Sequence, residues 1–260
     1  MAKERLREQL RDKDYGLPPD GYENGSEVDT SDAEVLGQSS VEVRFGDPRV
    51  DARELARLLS QENAMPHLVG VVPRRVSEEE RLRIETQYPV FPLITATTDD
   101  VRKYYTKNRD QILIVAQKPG AEGKLYGTVA VQGGNPGVLT GNISKLVVDK
   151  DDQKQGIGPE LVRAANAIIF GYLNFEQAIA TVVLNVPNDD APQKVLRREG
   201  FKVQTQLNRK CVSWDTKTGM LVVRDALPFL LEREDYFKRP NAVENMERYL
   251  SALQVTPKIA

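Results

Sequence analysis

The spacing of hydrophobic residues predicts a domain that begins near residue 40 with a strand and a helix. Residues 41–46, VEVRFG, alternate between apolar and polar positions, as a half-buried strand does. In the segment VDARELARLLSQEN that follows, Ala52, Leu55, Leu58 and Leu59 recur at helical spacing. A strand followed by a helix therefore opens the domain.

The next segment, residues 64–94, interrupts this pattern with prolines and with a run of acidic and basic residues. We expect an insertion or a long lid there, with a short helix at Glu78–Thr86. After it, Thr98 is a suitable N-cap, because its hydroxyl accepts a hydrogen bond from a free amide at the start of a helix. Asp99 and Asp100 then suit the positive end of the helix dipole, so a second helix is predicted from this point.

Three strand-like runs follow, QILIVAQK, KLYGTVAVQGG and NISKLVVDK, and the turn-rich segments between them predict an antiparallel meander. A long helix is expected from Pro159 to about Leu173, since proline is tolerated in a first turn and apolar residues recur along one face. AIATVVLNVP has the nearly continuous apolar pattern of a strand buried on both faces. DDAPQKVLRREG predicts a helix that Gly200 ends, and two more strands form a hairpin around DTKTG.

The two ends of the chain differ from this central part. Residues 1–39 are rich in Gly, Pro, Ser and acidic residues and have few large apolar side chains, so we expect a flexible or docked tail. Residues 226–260 predict a C-terminal extension of one or two helices that packs on the domain or on a partner. The main domain then spans residues 40–225, and the hairpin with the C-terminal helices offers a surface for a homodimer.

Composition and charge narrow the classes of function. The chain has 36 Lys and Arg residues against 38 Asp and Glu, a formal net charge of -2 at pH 7, so no overall positive field favours nucleic acid. The mean hydropathy is -0.46, and no run approaches the roughly 18 apolar residues of a membrane span. The N-terminal sequence lacks the apolar stretch of a secretory signal. We therefore expect a cytoplasmic protein that binds neither nucleic acid nor membrane.

The chain contains one cysteine, Cys211, and one histidine, His67. A single cysteine forms no internal disulfide, and the usual zinc ligand sets cannot be assembled from these two residues. A serine or cysteine hydrolase would have to use His67, and no nucleophile elbow of the G-x-S-x-G kind accompanies it. No metal site is expected.

A loop that contains two glycines lies between a predicted strand and a predicted helix. It consists of Gln153, Lys154, Gln155, Gly156, Ile157 and Gly158. A dinucleotide-binding motif would need a third glycine at Leu161, and a Walker P-loop would need Lys and Ser or Thr where Pro159 and Glu160 stand. Converging backbone amides at a helix start bind a pyrophosphate, and glycines keep that space free of side chains. The loop therefore predicts a phosphate cradle, with a purely structural helix start as the alternative.

These loop residues match the Q/R-x-x-G-x-G/A signature of the GCN5-related N-acetyltransferase (GNAT) family. VVDKDDQ resembles the strand that leads into the family's loop, and NDDAPQKVLRREGF resembles its helix that ends in Gly-Phe. The motifs span residues 141–201, and the order of elements extends the resemblance over about 40–225. The resemblance implies a mixed α+β fold with a mostly antiparallel sheet flanked by helices. It also implies an N-acetyltransferase that uses acetyl-CoA or another acyl-CoA.

The resemblance further implies which residues contact the cofactor. Leu146, Val147 and Val148 would pair with the pantetheine arm, and their amides would polarise the thioester carbonyl. The loop from Gln153 to Gly158 would hold the pyrophosphate. Asn188 and Asp189 lie where the family often has an asparagine that reaches the cofactor.

The sequence departs from the family's catalytic pattern at two places. Leu196 stands where many members have a tyrosine that acts as general acid, and Asn142 and Ser144 stand where a glutamate base is often found. Glu62 and His67 are the candidate bases, since a base need only reach the amine directly or through one water. Each is also a common residue type for an exposed or packed position without a catalytic role.

Three hypotheses therefore stay open. The first is an enzyme that transfers acetyl to a small-molecule or peptide amine by direct attack, and the slightly acidic chain suits cationic acceptors such as polyamines. The second is a catalytically inactive GNAT-fold sensor of acyl-CoA. The third is an interaction scaffold whose terminal extensions bind a partner.

Overall fold

The computed structural model describes residues 41–87, 93–108, 110–119, 123–133, 139–204 and 209–254. The predicted tail, residues 1–39, lies outside the described residues. No helix among the described residues combines the length and the apolar character that crossing a membrane requires.

The described residues form a mixed α+β structure. The strands are β1 (Glu42–Phe45), β2 (Val71–Val72), β3 (Ile94–Thr95), β4 (Gln111–Gln117), β5 (Leu125–Gly133), β6 (Thr140–Val148), β7 (Gln177–Val183), β8 (Lys202–Val203), β9 (Arg209–Asp215) and β10 (Met220–Glu232). The helices are α1 (Pro48–Leu59), α2 (Glu78–Gln87), α3 (Thr98–Lys107), α4 (Ile157–Asn166), α5 (Asp190–Arg198), α6 (Arg233–Phe237) and α7 (Ala242–Ala252). Single turns of 3-10 helix lie at Met65–His67 and Lys150–Asp152, and a π-helix, Ala167–Tyr172, continues α4.

The main sheet has the strand order β1-β4-β5-β6-β7-β10-β8, and β9 pairs with β10 beside this path. β6 and β7 run parallel, whereas the other neighbours in this sheet are antiparallel. β2 and β3 form a separate parallel pair. The mixed, mostly antiparallel sheet that the sequence predicts is confirmed.

Alternate residues of the strands enter two hydrophobic clusters on opposite faces of the sheet. Ile114 of β4 belongs to a cluster that includes side chains of α4, the π-helix and α7, such as Leu161 and Leu250. Its neighbours Leu113 and Val115 belong to a cluster with α1, α3 and β9. The sheet is therefore covered on both faces, as expected when side chains alternate along a strand.

Several sequence predictions agree with the observed elements. α1 begins after Asp47, whose side chain accepts a hydrogen bond from the amide of Arg49 at 2.8 Å, and Pro48 occupies its first position. The short helix in the segment 64–94, the meander β4-β5-β6, the strand β7 and the final hairpin are all present. Gly200 has φ +85° at the end of α5, a conformation that favours glycine.

Three boundaries differ from the prediction. The cap of α3 is Thr97, which accepts a hydrogen bond from the amide of Asp100 at 3.2 Å, and not Thr98. α4 begins at Ile157 and gives way to the π-helix at Ala167. Residues 226–232, predicted as the start of a helical extension, form the second half of β10 and pair with β7. Only the chain from Arg233 onward is helical there, because β7 supplies a partner strand that the local pattern does not reveal.

Candidate active site

A wedge opens in the sheet where β6 and β7 separate. These parallel strands pair only between residues 140–143 and 177–180. Beyond them lies a cleft of about 240 Å³, lined by residues 142–146, 179–183 and 67–69 and by Pro192 and Leu196. We call this cleft the wedge, and residues 67–69 the bridging segment.

A β-bulge in β6 accompanies the opening of the wedge. Ala130 of β5 lies opposite Ser144, but Thr128 lies opposite Val147, so β6 has one more residue than β5 between these pairs. Lys145, within the extra stretch, has φ +54°. A bulge bends its strand and leaves a residue outside the regular ladder, which is consistent with β6 turning away from β7 here.

The glycine loop lies at the end of β6 and leads into α4. Lys154 has φ +65° and Gly156 has φ +80°, and no side chain caps the helix start. The amides of a first helical turn have no acceptor within the helix. A Cβ atom placed on Gly158 would meet only a methyl group of Val195 at 3.7 Å and one of Val148 at 3.8 Å.

Pro159 has no N–H, and the amide of Glu160 donates to the carbonyl of Gly156 at 3.2 Å. The amides of Ile157 and Gly158, with open space in front of them, are the donors that fit a bound pyrophosphate.

A buried carboxylate holds the beginning of this loop against α1. Asp149 is 1% exposed, and it accepts hydrogen bonds from the guanidinium of Arg57 and from Nε2 of Gln61 at 3.2 Å. Arg57 also donates to the carbonyl of Leu125 at 2.7 Å. Burial opposes ionisation of Asp149, but the hydrogen bonds from Arg57 and from the amide of Asp151 outweigh it and lower the pKa of the carboxyl group. This tie between α1 and the loop has no signal in the sequence.

Lys145 is a charged residue of the wedge that sequence analysis missed. The residue is half-buried, and its Nζ donates a hydrogen bond to the carbonyl of Val69 at 2.6 Å. No carboxylate forms an ion pair with it among the residues that the structure describes. Burial lowers the pKa of Lys145 to about 8. The alternating pattern of β6 did not indicate this position, because a bulge changes the side to which the following residues point.

His67 lines the wedge from the bridging segment. Its Nε2 lies 2.9 Å from the carbonyl oxygen of Pro187, and since a carbonyl only accepts, we assign the proton to Nε2. Nδ1 is buried and has no hydrogen-bond partner among the described residues. Burial lowers the pKa of His67, so the imidazole is neutral at pH 7. Together with the Lys145–Val69 bond, this contact ties the bridging segment to both sides of the wedge.

The other candidate base, Glu62, lies apart from the wedge lining. It follows Ser60, the C-cap of α1, and its side chain is exposed. No carboxylate is present among the described residues that line the wedge. Leu196, at the position of the family's tyrosine, is buried and lines the wedge. Asn142 and Ser144 also line the wedge.

The predicted cofactor residues lie at the wedge and around the helix start. Leu146 lines the wedge, Val147 is buried, and Val148 lies beside Gly158. Ile157 is buried as the first residue of α4. The side chains of Gln153, Lys154 and Gln155 are exposed.

On the β7 side, two predicted residues lie in the turn before α5. Asn188 is exposed with φ +59°. The carboxylate of Asp189 accepts a hydrogen bond from the amide of Asn185 at 2.8 Å. Its side chain therefore stabilises the turn at the end of β7 in this structure.

A glycine loop at a helix start, beside a mixed and mostly antiparallel sheet, is the arrangement that the resemblance to the GNAT family implied. The fold comparison agrees: the chain is similar to spermidine N-acetyltransferase from Vibrio cholerae, solved with CoA and spermine, with a TM-score of 0.55 and 15% identity over 77% of this chain and 99% of that one. It is also similar to yncA from Salmonella typhimurium, solved with its cofactor acetyl-CoA (TM-score 0.51, 15% identity, 75% of this chain and 94% of that one). Ribosomal-protein-S5-alanine acetyltransferase from Vibrio fischeri matches with a TM-score of 0.52 and 17% identity over 79% and 98% of the two chains.

No protein-family model matches the sequence, and no curated protein matches it. The similarity to the solved structures is therefore one of fold, at 15–17% identity.

Proposed function

We propose that the protein is an N-acetyltransferase that uses acetyl-CoA. The observation that carries this proposal is the wedge between β6 and β7, which opens beside an uncapped helix start with glycines at Gly156 and Gly158. A thioester arm and a pyrophosphate would then have adjacent binding places. The bound CoA and acetyl-CoA of the similar Vibrio cholerae and Salmonella typhimurium structures support the same cofactor.

The resemblance implies which residues would hold the cofactor, and the geometry of the wedge and of the glycine loop supports that assignment. The amides of Ile157 and Gly158, with Gln153, Lys154 and Gln155 around them, would bind the pyrophosphate. The backbone of Leu146 to Val148 would pair with the pantetheine arm, and the turn of Asn188 and Asp189 would face it from β7. Bound acetyl-CoA supplies an acyl thioester, and backbone donors near the bulge would stabilise the oxyanion that forms on attack.

The acceptor amine attacks directly in this proposal and must lose a proton. His67 is the candidate base that lines the wedge, but Nε2 is bonded to Pro187 and Nδ1 is buried, so its side chain would have to turn to act. Glu62 is exposed and would act through water. Because Leu196 donates no proton, the thiolate would leave without an acid from α5.

The acceptor in this proposal is a small-molecule or peptide amine. Overall charge suggested a cationic acceptor, but the described lining of the wedge contains Lys145 and no carboxylate. Such a lining disfavours a polycation, since like charges repel at short range. Without a carboxylate, the described lining also offers no acidic general base. This favours a second candidate function, an acyl-CoA sensor without turnover.

The first test is calorimetric titration with acetyl-CoA and with CoA. Gly158→Leu fills the space in front of the helix start, and it is a cleaner change than one at Gly156, where φ +80° would strain any other residue. Gly133→Leu is the matched control. Gly133 pairs with Gly141 at the far end of the β5-β6 ladder, away from the glycine loop, and a Cβ atom there would meet Phe175 at an ordinary contact distance of 4.0 Å. We expect micromolar binding that Gly158→Leu weakens at least 10-fold and Gly133→Leu retains.

Absence of binding to the folded wild-type protein would reject both the enzyme and the sensor. If binding is present, release of CoA in the presence of a panel of amines separates the two. Release with an amine supports the enzyme, whereas binding without release supports the sensor.

A further inference from the structure

Lys145 is the lysine of the wedge, and it lies next to the position proposed for the thioester. It belongs to the bulge of β6 and directly precedes Leu146. Its Nζ reaches the bridging segment through the bond to the carbonyl of Val69 at 2.6 Å. This amine therefore lies on the wall of the cleft into which an acyl group would extend.

The hydrogen bond to Val69 leaves the lone pair of Lys145 available. A neutral primary amine has two N–H groups and one lone pair, and the carbonyl of Val69 occupies a single N–H group. No second hydrogen bond of Nζ is present among the described residues. The contact thus holds the amine in place without using its nucleophilic lone pair.

Burial is what lowers the pKa of Lys145, and no charged group among the described residues offsets it. His67 lines the same wedge and is neutral at pH 7. Because burial lowers the pKa of Lys145 to about 8, a larger fraction of this amine is neutral at pH 8 than of an exposed lysine.

We propose that Lys145 is a self-acetylation site, at which Nζ attacks the carbonyl carbon of an acetyl thioester bound in the wedge. In this step a C–N bond forms, the C–S bond breaks, Nζ loses one proton, and CoA leaves as the thiol with that proton. The product is Nζ-acetyl-lysine, an uncharged amide. The inference rests on the proposed function, because it requires acetyl-CoA in the wedge.

Acetylation would change the wedge in two ways. The amide retains one N–H group, which can still donate to the carbonyl of Val69, but its positive charge is lost. The acetyl group also occupies part of a cleft of only about 240 Å³. Self-acetylation therefore limits further access to the site by the acceptor or by a second acetyl-CoA.

The test is incubation of the wild-type protein with acetyl-CoA at pH 7, 8 and 9, followed by peptide mass spectrometry. Lys103 and Lys107, exposed on α3, serve as internal reference lysines. We expect acetylation of Lys145 at least 10-fold faster than at either reference, with a rate that rises from pH 7 to 8 and then levels off. Gly158→Leu and an excess of CoA should both abolish this preference.

A second readout needs no cofactor. Reductive methylation with carbon-13 formaldehyde, followed by NMR titration, should give a resonance with a pKa near 8 that is absent from Lys145→Arg. Calorimetry on the unmodified wild-type protein separates the two proposals. Acetyl-CoA binding with Lys145 acetylated no faster than Lys103 overturns self-acetylation alone, whereas absent binding overturns the proposed function and this inference with it.

Discussion

At the scale of single residues, the wedge is lined by two titratable side chains and, among the described residues, by no carboxylate. His67 and Lys145 are its titratable side chains among the described lining residues, and burial disfavours the charged form of each. Each side chain donates a hydrogen bond to a backbone carbonyl, His67 to Pro187 and Lys145 to Val69. The two contacts hold the bridging segment in place without any ion pair.

His67 provides a direct test of this arrangement, because it is the one histidine of the chain. We expect its NMR titration to have a midpoint below 6.5, and the nitrogen-15 shifts to identify the Nε2–H tautomer. Because the folded-state pKa is lowered, the stability present above pH 6.5 is lost as the pH falls through the folded pKa.

The unfolded protein in urea is the control for the histidine titration and should titrate near 6.5. A folded-state midpoint at or above that value, or an Nδ1–H tautomer, would contradict the geometry. A midpoint at or above 6.5 would mean that the imidazole is not buried in solution, because burial is what lowers its pKa. An Nδ1–H tautomer would mean that Nε2 does not donate to the carbonyl of Pro187.

At the scale of elements, the glycine loop depends on a contact with α1. Asp149 and Arg57 are separated by 92 residues and meet where the loop leaves β6. Asp149 also accepts a hydrogen bond from the amide of Asp151 at 3.3 Å, which orders the 3-10 turn Lys150–Asp152. The ion pair between Arg57 and the buried Asp149 thus fixes the beginning of the loop, so the glycines alone do not position the helix start.

Asp149→Asn tests this support. The change keeps the shape of the side chain but removes its charge, so Arg57 loses a buried partner. We expect the free energy of unfolding to fall by about 2 kcal/mol, less than for a fully buried pair because Arg57 is partly exposed. Affinity for acetyl-CoA should fall as well, since the loop loses its anchor. Urea denaturation and calorimetry measure the two effects.

Asp99→Asn is the matched control, because Asp99 forms an exposed pair with Arg102 on α3 at 3.2 Å. Its effect on stability should stay within about 0.5 kcal/mol. Equal losses in the two variants would show that the buried position of Asp149 has no special importance.

At the scale of the whole molecule, the C-terminal helices belong to the main core. Met246 and Leu250 of α7 are buried against the π-helix that follows α4. A Cβ atom on Gly171 would lie 2.8 Å from side-chain atoms of both residues, so glycine permits this close approach. At the end of α5, the buried Glu199 pairs with Arg163 at 2.9 Å and with Arg239 at 3.1 Å. The segment after β10 is therefore packed into the domain.

Leu250→Ala tests whether this segment and the sheet unfold together. The substitution leaves a cavity at the contact with the π-helix, and we expect a loss of about 3 kcal/mol in the free energy of unfolding. Circular dichroism should record one transition, shifted as a whole.

Val243→Ala, on the same helix but exposed, is the control and should change stability by less than about 0.5 kcal/mol. An unchanged main transition in Leu250→Ala, with α7 melting separately, would indicate an independent appendage.

The elements with strong local patterns were predictable, and those that depend on a distant partner were not. The spacing of Leu55, Leu58 and Leu59 indicated α1, and Gly200 indicated the end of α5. Pro228 and the apolar residues after it suggested a helix, yet they extend β10, because a short apolar run fits either structure until a neighbouring strand is known.

The candidate site divides in the same way. Gly156 and Gly158 and their place between a strand and a helix predicted a phosphate cradle from neighbouring residues alone, and that assignment stays a prediction. Lys145 carried no such signal, since an alternating pattern does not reveal where a strand gains an extra residue. The support from Arg57 and Asp149 was equally hidden, because nothing local relates residues so far apart.

The sequence by itself determined the order of the elements, the glycine loop and the presence of Leu196 at the position where the GNAT family often has a tyrosine. These properties depend on residue identity and on spacing along the chain. Only the tertiary structure decided that His67, Lys145 and Leu196 share one wedge, and that α7 closes the core. Such contacts depend on strand register, on a bulge and on burial, which arise when distant parts of the chain pack together.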